Sequence, residues 1–317
     1  MPVNRPWRGL YAALATPLGA EGAPYLELLA ARAAALLTQG CDGIALFGTT
    51  GEGPSFPVAE RVAGLEALLA ADIAPARLVV SASAIAPGDA LALTRHALSM
   101  GISDILLMPA FLQRAVDGDG LFRFYAEHIA RAGSTRLRLL LYHIPQVSGI
   151  PLSPDLIERL ATAFPDVVIG VKDSGADWPH TRRLLERFPA LEILCGEETH
   201  LPQALALGGA GTICGLANVV PQLLRRLIAS HEPDESARLL ALLQALGAAI
   251  ERHATFAQGL RVLIAELTGE PAWLRTLPPL APLAEAPRGA LTAEFRELAA
   301  AIEAALAGPQ AAVAGTR

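Results

Sequence analysis

Lysine is nearly missing from this chain. Of its 25 basic side chains all but one are arginine, and the exception is Lys172. Arginine serves a solvated surface as well as lysine does, but only lysine readily loses its proton and forms a Schiff base. Cysteine is scarce as well. Cys41, Cys195 and Cys214 follow no metal-ligand spacing, and their odd number fits a reducing, cytoplasmic setting better than a disulfide framework. No run of basic residues occurs and the net charge is −6, which argues against a nucleic acid partner. No uncharged apolar stretch reaches 18 residues, so no membrane span is expected. The opening MPVNRPWRG has no long apolar region after its charges and resembles no secretory signal.

What is abundant is alanine in short, patterned segments. The chain is 52% hydrophobic with a mean hydropathy of +0.40, and the alanine share points to helix-rich packing. Apolar runs of strand length alternate with amphipathic helices. Strands are expected at 10–17, 41–48, 77–83, 102–109, 136–145, 166–172, 191–195 and 210–214. Helices are expected at 24–40, 58–70, 89–100, 120–133 and 153–164, with helix candidates after the last two strands. The strands are near-continuous apolar runs, as they are when helices cover a parallel sheet. Eight βα units in about 220 residues predict a (β/α)8 TIM barrel over 1–230. A doubly wound open sheet is the alternative, but it would more often carry a glycine-rich phosphate loop after its first strand. Residues 231–307 read as a C-terminal helical extension, with helices near 236–249, 251–267 and 291–307. The end, 308–317, reads as a flexible tail.

A barrel gathers its chemistry at the C-terminal ends of its strands. Those ends bring Lys172, Tyr142, several hydroxyls and the glycine-rich loop GTTGEG (48–53) to one mouth. Lys172 follows Val167, Val168, Ile169 and Val171, and burial there disfavours its ammonium form. A neutral amine attacks a ketone carbon, and the resulting imine stabilises an adjacent carbanion as an enamine. Tyr142 ends the preceding strand, where a phenol can relay protons. Gly48, Gly51 and Gly53 permit tight turns and close approach to a ligand, and Thr49 and Thr50 present amides and hydroxyls suited to a carboxylate. Glu52 is expected to orient this loop. No cluster at the mouth has the look of a metal site, and no cofactor is called for.

GTTGE, YHIPQVSG (142–149) and GVKDS (170–174) together resemble the dihydrodipicolinate synthase and N-acetylneuraminate lyase family, and the resemblance runs over essentially the whole chain. It implies a class I aldolase barrel, commonly a homotetramer or dimer. It also implies Lys172 as Schiff-base residue, Tyr142 as proton shuttle, Thr49 and Thr50 on the substrate carboxylate, and the Ile213 carbonyl near the proton relay. The departures bear on the second substrate. Dihydrodipicolinate synthases usually carry an arginine where Val147 stands, and a tyrosine relay near Phe111. His143 stands where asparagine is common and reads either as a donor to a substrate hydroxyl or as packing beneath the loop. Ser174, Asp173, Asp177 and Glu197 are further candidates. The reading is a pyruvate-dependent lyase that cleaves or forms a 2-keto-3-deoxy sugar acid, its partners pyruvate and an aldehyde. The alternatives are a sugar-acid dehydratase, a dihydrodipicolinate synthase in which Arg114 supplies the missing charge, and a silent keto-acid-binding barrel.

Overall fold

The structure, a computed structural model, describes residues 8–307, so the expected tail at 308–317 lies outside the described residues. Eight parallel strands close on themselves in chain order: β1 (Gly9–Ala13), β2 (Gly43–Leu46), β3 (Leu78–Ser81), β4 (Asp104–Leu107), β5 (Arg138–His143), β6 (Val168–Asp173), β7 (Glu192–Cys195) and β8 (Gly211–Cys214). Around them run α1 (Leu26–Thr38), α2 (Val58–Ala70), α3 (Pro87–Ser99), α4 (Gly118–Ala132), the single turn α5 (Pro145–Ser148), α6 (Pro154–Ala163), α7 (Trp178–Arg187), α8 (Leu201–Ala206) and α9 (Pro221–Ala229). The extension is α10 (Pro233–His253), α11 (Phe256–Thr268) and α12 (Glu285–Ala307). The expected (β/α)8 barrel with a helical extension is what forms. The first five strands stop short of their apolar runs, because the last residues of those runs already turn into the mouth loops. Among the described residues no helix is long and apolar enough to cross a membrane.

The pleat sorts each strand into two faces. On β5, Leu140 and Tyr142 join the cluster inside the barrel, while Leu139 and Leu141 join the larger layer between barrel and helices. The inner cluster also holds Ala13, Ala45, Val79, Leu106, Leu194 and Ile213, so the barrel is filled rather than hollow.

β6 breaks the alternation. Leu139 pairs with Val168 and Leu140 with Gly170, which leaves Ile169 as an extra residue in the ladder. Val168 and Val171 both lie in the outer layer although they are three residues apart, and Ile169 packs against the inner cluster. This is a β-bulge, and it shifts the phase of everything after it by one residue. From Gly170 onward β6 is in step with β5, so Tyr142 and Lys172 are direct cross-strand partners.

Gly170 is required at this bulge. A Cβ there would lie 2.1 Å from the Glu192 carbonyl oxygen on β7, a backbone atom that cannot step aside. Gly170→Ala is expected to destabilise the protein by about 1–3 kcal/mol, the usual range for overpacking, as read from the urea midpoint. An unchanged midpoint would show that the strand has room to slide.

Candidate active site

Lys172 is buried, 3% exposed, inside the barrel. Its Nζ donates to the Tyr142 hydroxyl at 3.3 Å and lies 4.4 Å from the centre of that ring. The Tyr142 hydroxyl in turn lies 2.8 Å from Thr49 Oγ1. Amine, phenol and threonine hydroxyl thus form one chain across β6, β5 and the loop after β2. Among the described residues no carboxylate pairs with Lys172. A cation over a ring face and beside a phenol is a weakly compensated charge.

The GTTGEG loop is held by sterics. A Cβ on Gly51 would meet the Leu14 carbonyl oxygen at 2.5 Å, and one on Gly53 the Phe47 carbonyl oxygen at 1.9 Å. Gly48 faces open space instead, so its bareness leaves room rather than relieving a clash. Phe47 and Glu52 take left-handed backbone angles, with φ of 56° and 54°. Thr49 and Thr50 are half-buried on this turn. Tyr142 engages the Thr49 hydroxyl, and Thr50 follows it on the same turn. Ile213 points inward on β8 within the inner cluster.

The remaining expected residues divide differently. His143 follows Tyr142 by one residue, so the pleat turns it to the opposite face, and the structure does not bring it to the amine. Its Nδ1 accepts the Leu152 N–H at 3.0 Å, and its ring stacks on His180 at 4.1 Å. Burial pushes its pKa down to about 4. Asp173 likewise faces away from Lys172. Its Oδ2 takes His180 Nδ1 at 3.1 Å and the Thr181 hydroxyl at 2.8 Å. Ser174 is half-buried in the loop after β6, its carbonyl accepting from Gln146 Nε2 at 2.5 Å. Asp177 is exposed, and Glu197 accepts from the Thr199 hydroxyl at 2.8 Å. Phe111 packs on the inner cluster. Val147 is exposed, and so is Arg114, but the Arg114 stem lies across Gly149: a Cβ there would meet its Nε at 2.9 Å.

His143, Asp173 and His180 place their ligand atoms within 4.8 Å of one another. No sequence spacing signals this cluster. The two imidazoles are nearly parallel, at 17°. Ring lone pairs lie in the ring planes, and stacked parallel planes share no nearby point at which both could meet a metal ion. The cluster is better described as an ion pair with a neutral histidine stacked on it. Both His180 nitrogens face acceptors, Asp173 Oδ2 and the Leu152 carbonyl, so the imidazolium satisfies both.

Sequence reasoning missed two residues that shape the mouth. Asn218 donates to the Ala13 and Gly215 carbonyls and accepts from the Ala15 N–H, which ties β8 to β1. Arg261, on α11, pairs with Glu52 of the GTTGEG loop. Its signal was legible: a charge in the middle of the apolar run LRVLI demands a buried partner.

The family model of the dihydrodipicolinate synthetase family matches residues 6–298. The chain belongs to that family. It is thus among the class I pyruvate-dependent aldolases that the motifs resemble. An uncharacterized DapA-like lyase of Chloroflexus aurantiacus is 34% identical over 241 residues, 75% of this chain and 80% of that one. 4-Hydroxy-tetrahydrodipicolinate synthase 1 of Streptomyces coelicolor is 32% identical over 247 residues, 76% of each chain. The crystal structure of dihydrodipicolinate synthase from Agrobacterium tumefaciens superimposes with a TM-score of 0.84 at 36% identity, covering 92% of this chain and 99% of that one.

The family barrel also sets a pH dependence through the Asp173–His180 pair. Burial by itself pushes the Asp173 carboxyl up, but the His180 hydrogen bond and the neighbouring His143 outweigh it and hold it below 3.8. Burial lowers His180, but the bond to Asp173 and its charge raise it above 6.5. The carboxylate's contribution to stability is lost as pH falls through its lowered folded value. The imidazolium's is fully present below 6.5 and is lost as pH rises through its raised folded value. The melting-temperature gap between wild type and His180→Gln is therefore expected to be widest between pH 3.8 and 6.5. It should narrow on the alkaline side. A gap independent of pH would reduce His180 to a packing role.

Proposed function

We propose that this protein is a Schiff-base lyase that joins pyruvate to an aldehyde or releases pyruvate from the joined product. The observation that carries the reading is the sole lysine buried inside a barrel, in hydrogen-bond reach of a phenol that is itself tied to the GTTGEG loop. Lys172 Nζ adds to the C2 ketone of the 2-oxo acid, and the ketone oxygen leaves as water. Tyr142 passes protons between the amine, the departing oxygen and the second substrate. The substrate carboxylate takes the amides and hydroxyls of the GTTGE loop, Thr50 foremost. Loss of a proton from C3 of the imine gives the enamine, whose C3 attacks the aldehyde carbon. Hydrolysis of the new imine restores the amine. Run backwards, the same steps cleave the carbon–carbon bond.

For the second substrate, the dihydrodipicolinate synthase alternative now ranks above the neutral sugar acid. Named relatives at 28–32% identity are 4-hydroxy-tetrahydrodipicolinate synthases, and the Agrobacterium enzyme is 36% identical. Such a reaction brings an aldehyde with its own carboxylate, aspartate semialdehyde, to the enamine. Val147 offers that carboxylate nothing, but Arg114 lies over Gly149, two residues away, and supports a charged aldehyde at this mouth. The 2-keto-3-deoxy acid reading stands second, favoured by Val147 and by Phe111, which has no hydroxyl to relay a proton.

Borohydride reduction in the presence of pyruvate is expected to leave a mass adduct on the peptide holding Lys172, absent from Lys172→Ala. No adduct with pyruvate or another 2-oxo acid would defeat the reading. Tyr142→Phe should lower kcat/KM by about 10²–10⁴-fold, the range for a removed general acid–base.

The two second-substrate readings separate in a panel of aldehydes at saturating pyruvate. Aspartate semialdehyde is expected to exceed uncharged hydroxyaldehydes in kcat/KM, and Arg114→Ala should remove about tenfold or more of that preference alone. A neutral hydroxyaldehyde as best substrate, indifferent to Arg114→Ala, would reinstate the sugar-acid reading.

A further inference from the structure

We infer that Arg261 is a positioning residue that shapes the GTTGEG loop for the 2-oxo acid carboxylate, so that the C-terminal extension sets affinity for pyruvate. The inference rests on the Schiff-base reading above. Arg261 and Glu52 are 209 residues apart in sequence, yet Arg261 Nε lies 3.1 Å from Glu52 Oε1 and Nη2 donates to the same oxygen. The side chains are 3% and 12% exposed. The third guanidinium nitrogen, Nη1, is buried without a hydrogen-bond partner among the described residues. Glu52 is thus the one acceptor that justifies an arginine at this depth.

Glu52 is also where the loop is least at ease. It holds a left-handed φ of 54°, a conformation that favours glycine. Its N–H closes the turn on the Thr49 carbonyl at 3.0 Å, and the Gly53 N–H closes on the Gly48 carbonyl at 3.1 Å. Thr49 and Thr50 lie inside these two hydrogen-bonded turns. An ion pair that anchors Glu52 therefore holds the backbone turn that carries both threonines and the amides between them. A buried ion pair stabilises a fold little better than an apolar pair would, but its geometry is directional.

The same helix reaches the other side of the mouth. A Cβ on Gly215, two residues beyond Ile213, would meet the Phe256 ring at 2.6 Å and Leu260 at 3.2 Å. One helix of the extension thus bears on the loop after β2 through Arg261 and on the loop after β8 through Phe256 and Leu260. Arg261 makes no hydrogen bond to Lys172 or Tyr142, so its influence passes through the loop to substrate binding rather than to the chemical step.

The test titrates pyruvate under borohydride and follows the Lys172 adduct by intact mass. Wild type is compared with Arg261→Gln, Arg261→Lys and Glu52→Gln, with thermal melting on the same samples. Arg261→Gln should raise the half-saturating pyruvate concentration about tenfold, as loss of a charge-assisted contact predicts. Glu52→Gln should raise it several-fold. Both should still reach the wild-type adduct plateau, and Arg261→Lys should restore part of the shift. An unchanged half-saturation in folded variants, or a lowered plateau at unchanged half-saturation, would overturn the inference. If Arg261→Gln does not fold, Arg261→Lys and Glu52→Gln decide in its place. No adduct in the wild type removes the Schiff-base reading and this inference together. An adduct with indifferent variants removes this inference alone.

Discussion

One extra residue in β6 determines which way the amine points. Strand side chains alternate, so Val168, Gly170 and Lys172 would share a face in a regular ladder, and Val168 faces the helices. The bulge at Ile169 reverses the phase, which sends Val171 outward and Lys172 into the barrel opposite Tyr142. In a register slipped by one residue, Lys172 would meet the helices and Asp173 the barrel interior. The contact between Nζ and the Tyr142 hydroxyl, and through it Thr49, depends on that single insertion. Gly170 makes the bulge possible because β7 passes too close for any side chain.

The same phase separates charges that are neighbours in sequence. Lys172 and Asp173 are adjacent, and on a surface they would compensate each other. Here they stand on opposite faces of one strand. Asp173 is taken up by His180 and Thr181 from α7, which gives its carboxylate a cation and a hydroxyl in the outer layer. Lys172 keeps a ring face and a phenol. The amine is thus held by an aromatic ring and its hydroxyl rather than by a carboxylate. Burying a charge without a partner is unfavourable, and on the outer face Asp173 has its cation.

The mouth depends on side chains that reach across the chain to backbone carbonyls. Arg61 on α2 donates to the Ser81 and Ser83 carbonyls at the end of β3, and Ser83 accepts the Met108 N–H after β4. Asn218 closes β8 on β1, and Arg32 on α1 donates to the Asn218 carbonyl. Loop backbone has few partners of its own, so these bonds satisfy groups that burial would otherwise strand. They also hold the strand ends at fixed distances, which the proposed alignment of amine, phenol and carboxylate donors requires.

The sequence alone determined the fold class and singled out the groups proposed to react. Eight apolar runs alternating with helices admit few architectures, and a chain with one lysine has one candidate amine. Lys172, Tyr142 and Thr49 were legible because each lies near a strand's C-terminal end or in a glycine-rich loop, positions that local patterning reveals. What local patterning cannot reveal is which face a residue takes when a strand carries an insertion. The register of β6 is set by its hydrogen bonds to β5, about 30 residues earlier, and by the β7 backbone that excludes a side chain at Gly170. His143 was a candidate substrate contact because it stands where asparagine is common, yet it follows Tyr142 on one strand, and adjacency on a strand means opposite faces. The Arg261–Glu52 pair spans 209 residues, and only closure of the barrel and folding of the extension onto it bring the two together. Chemistry was written in residue type and local pattern. Direction was left to tertiary packing, because it depends on the strands and helices that pack against each position.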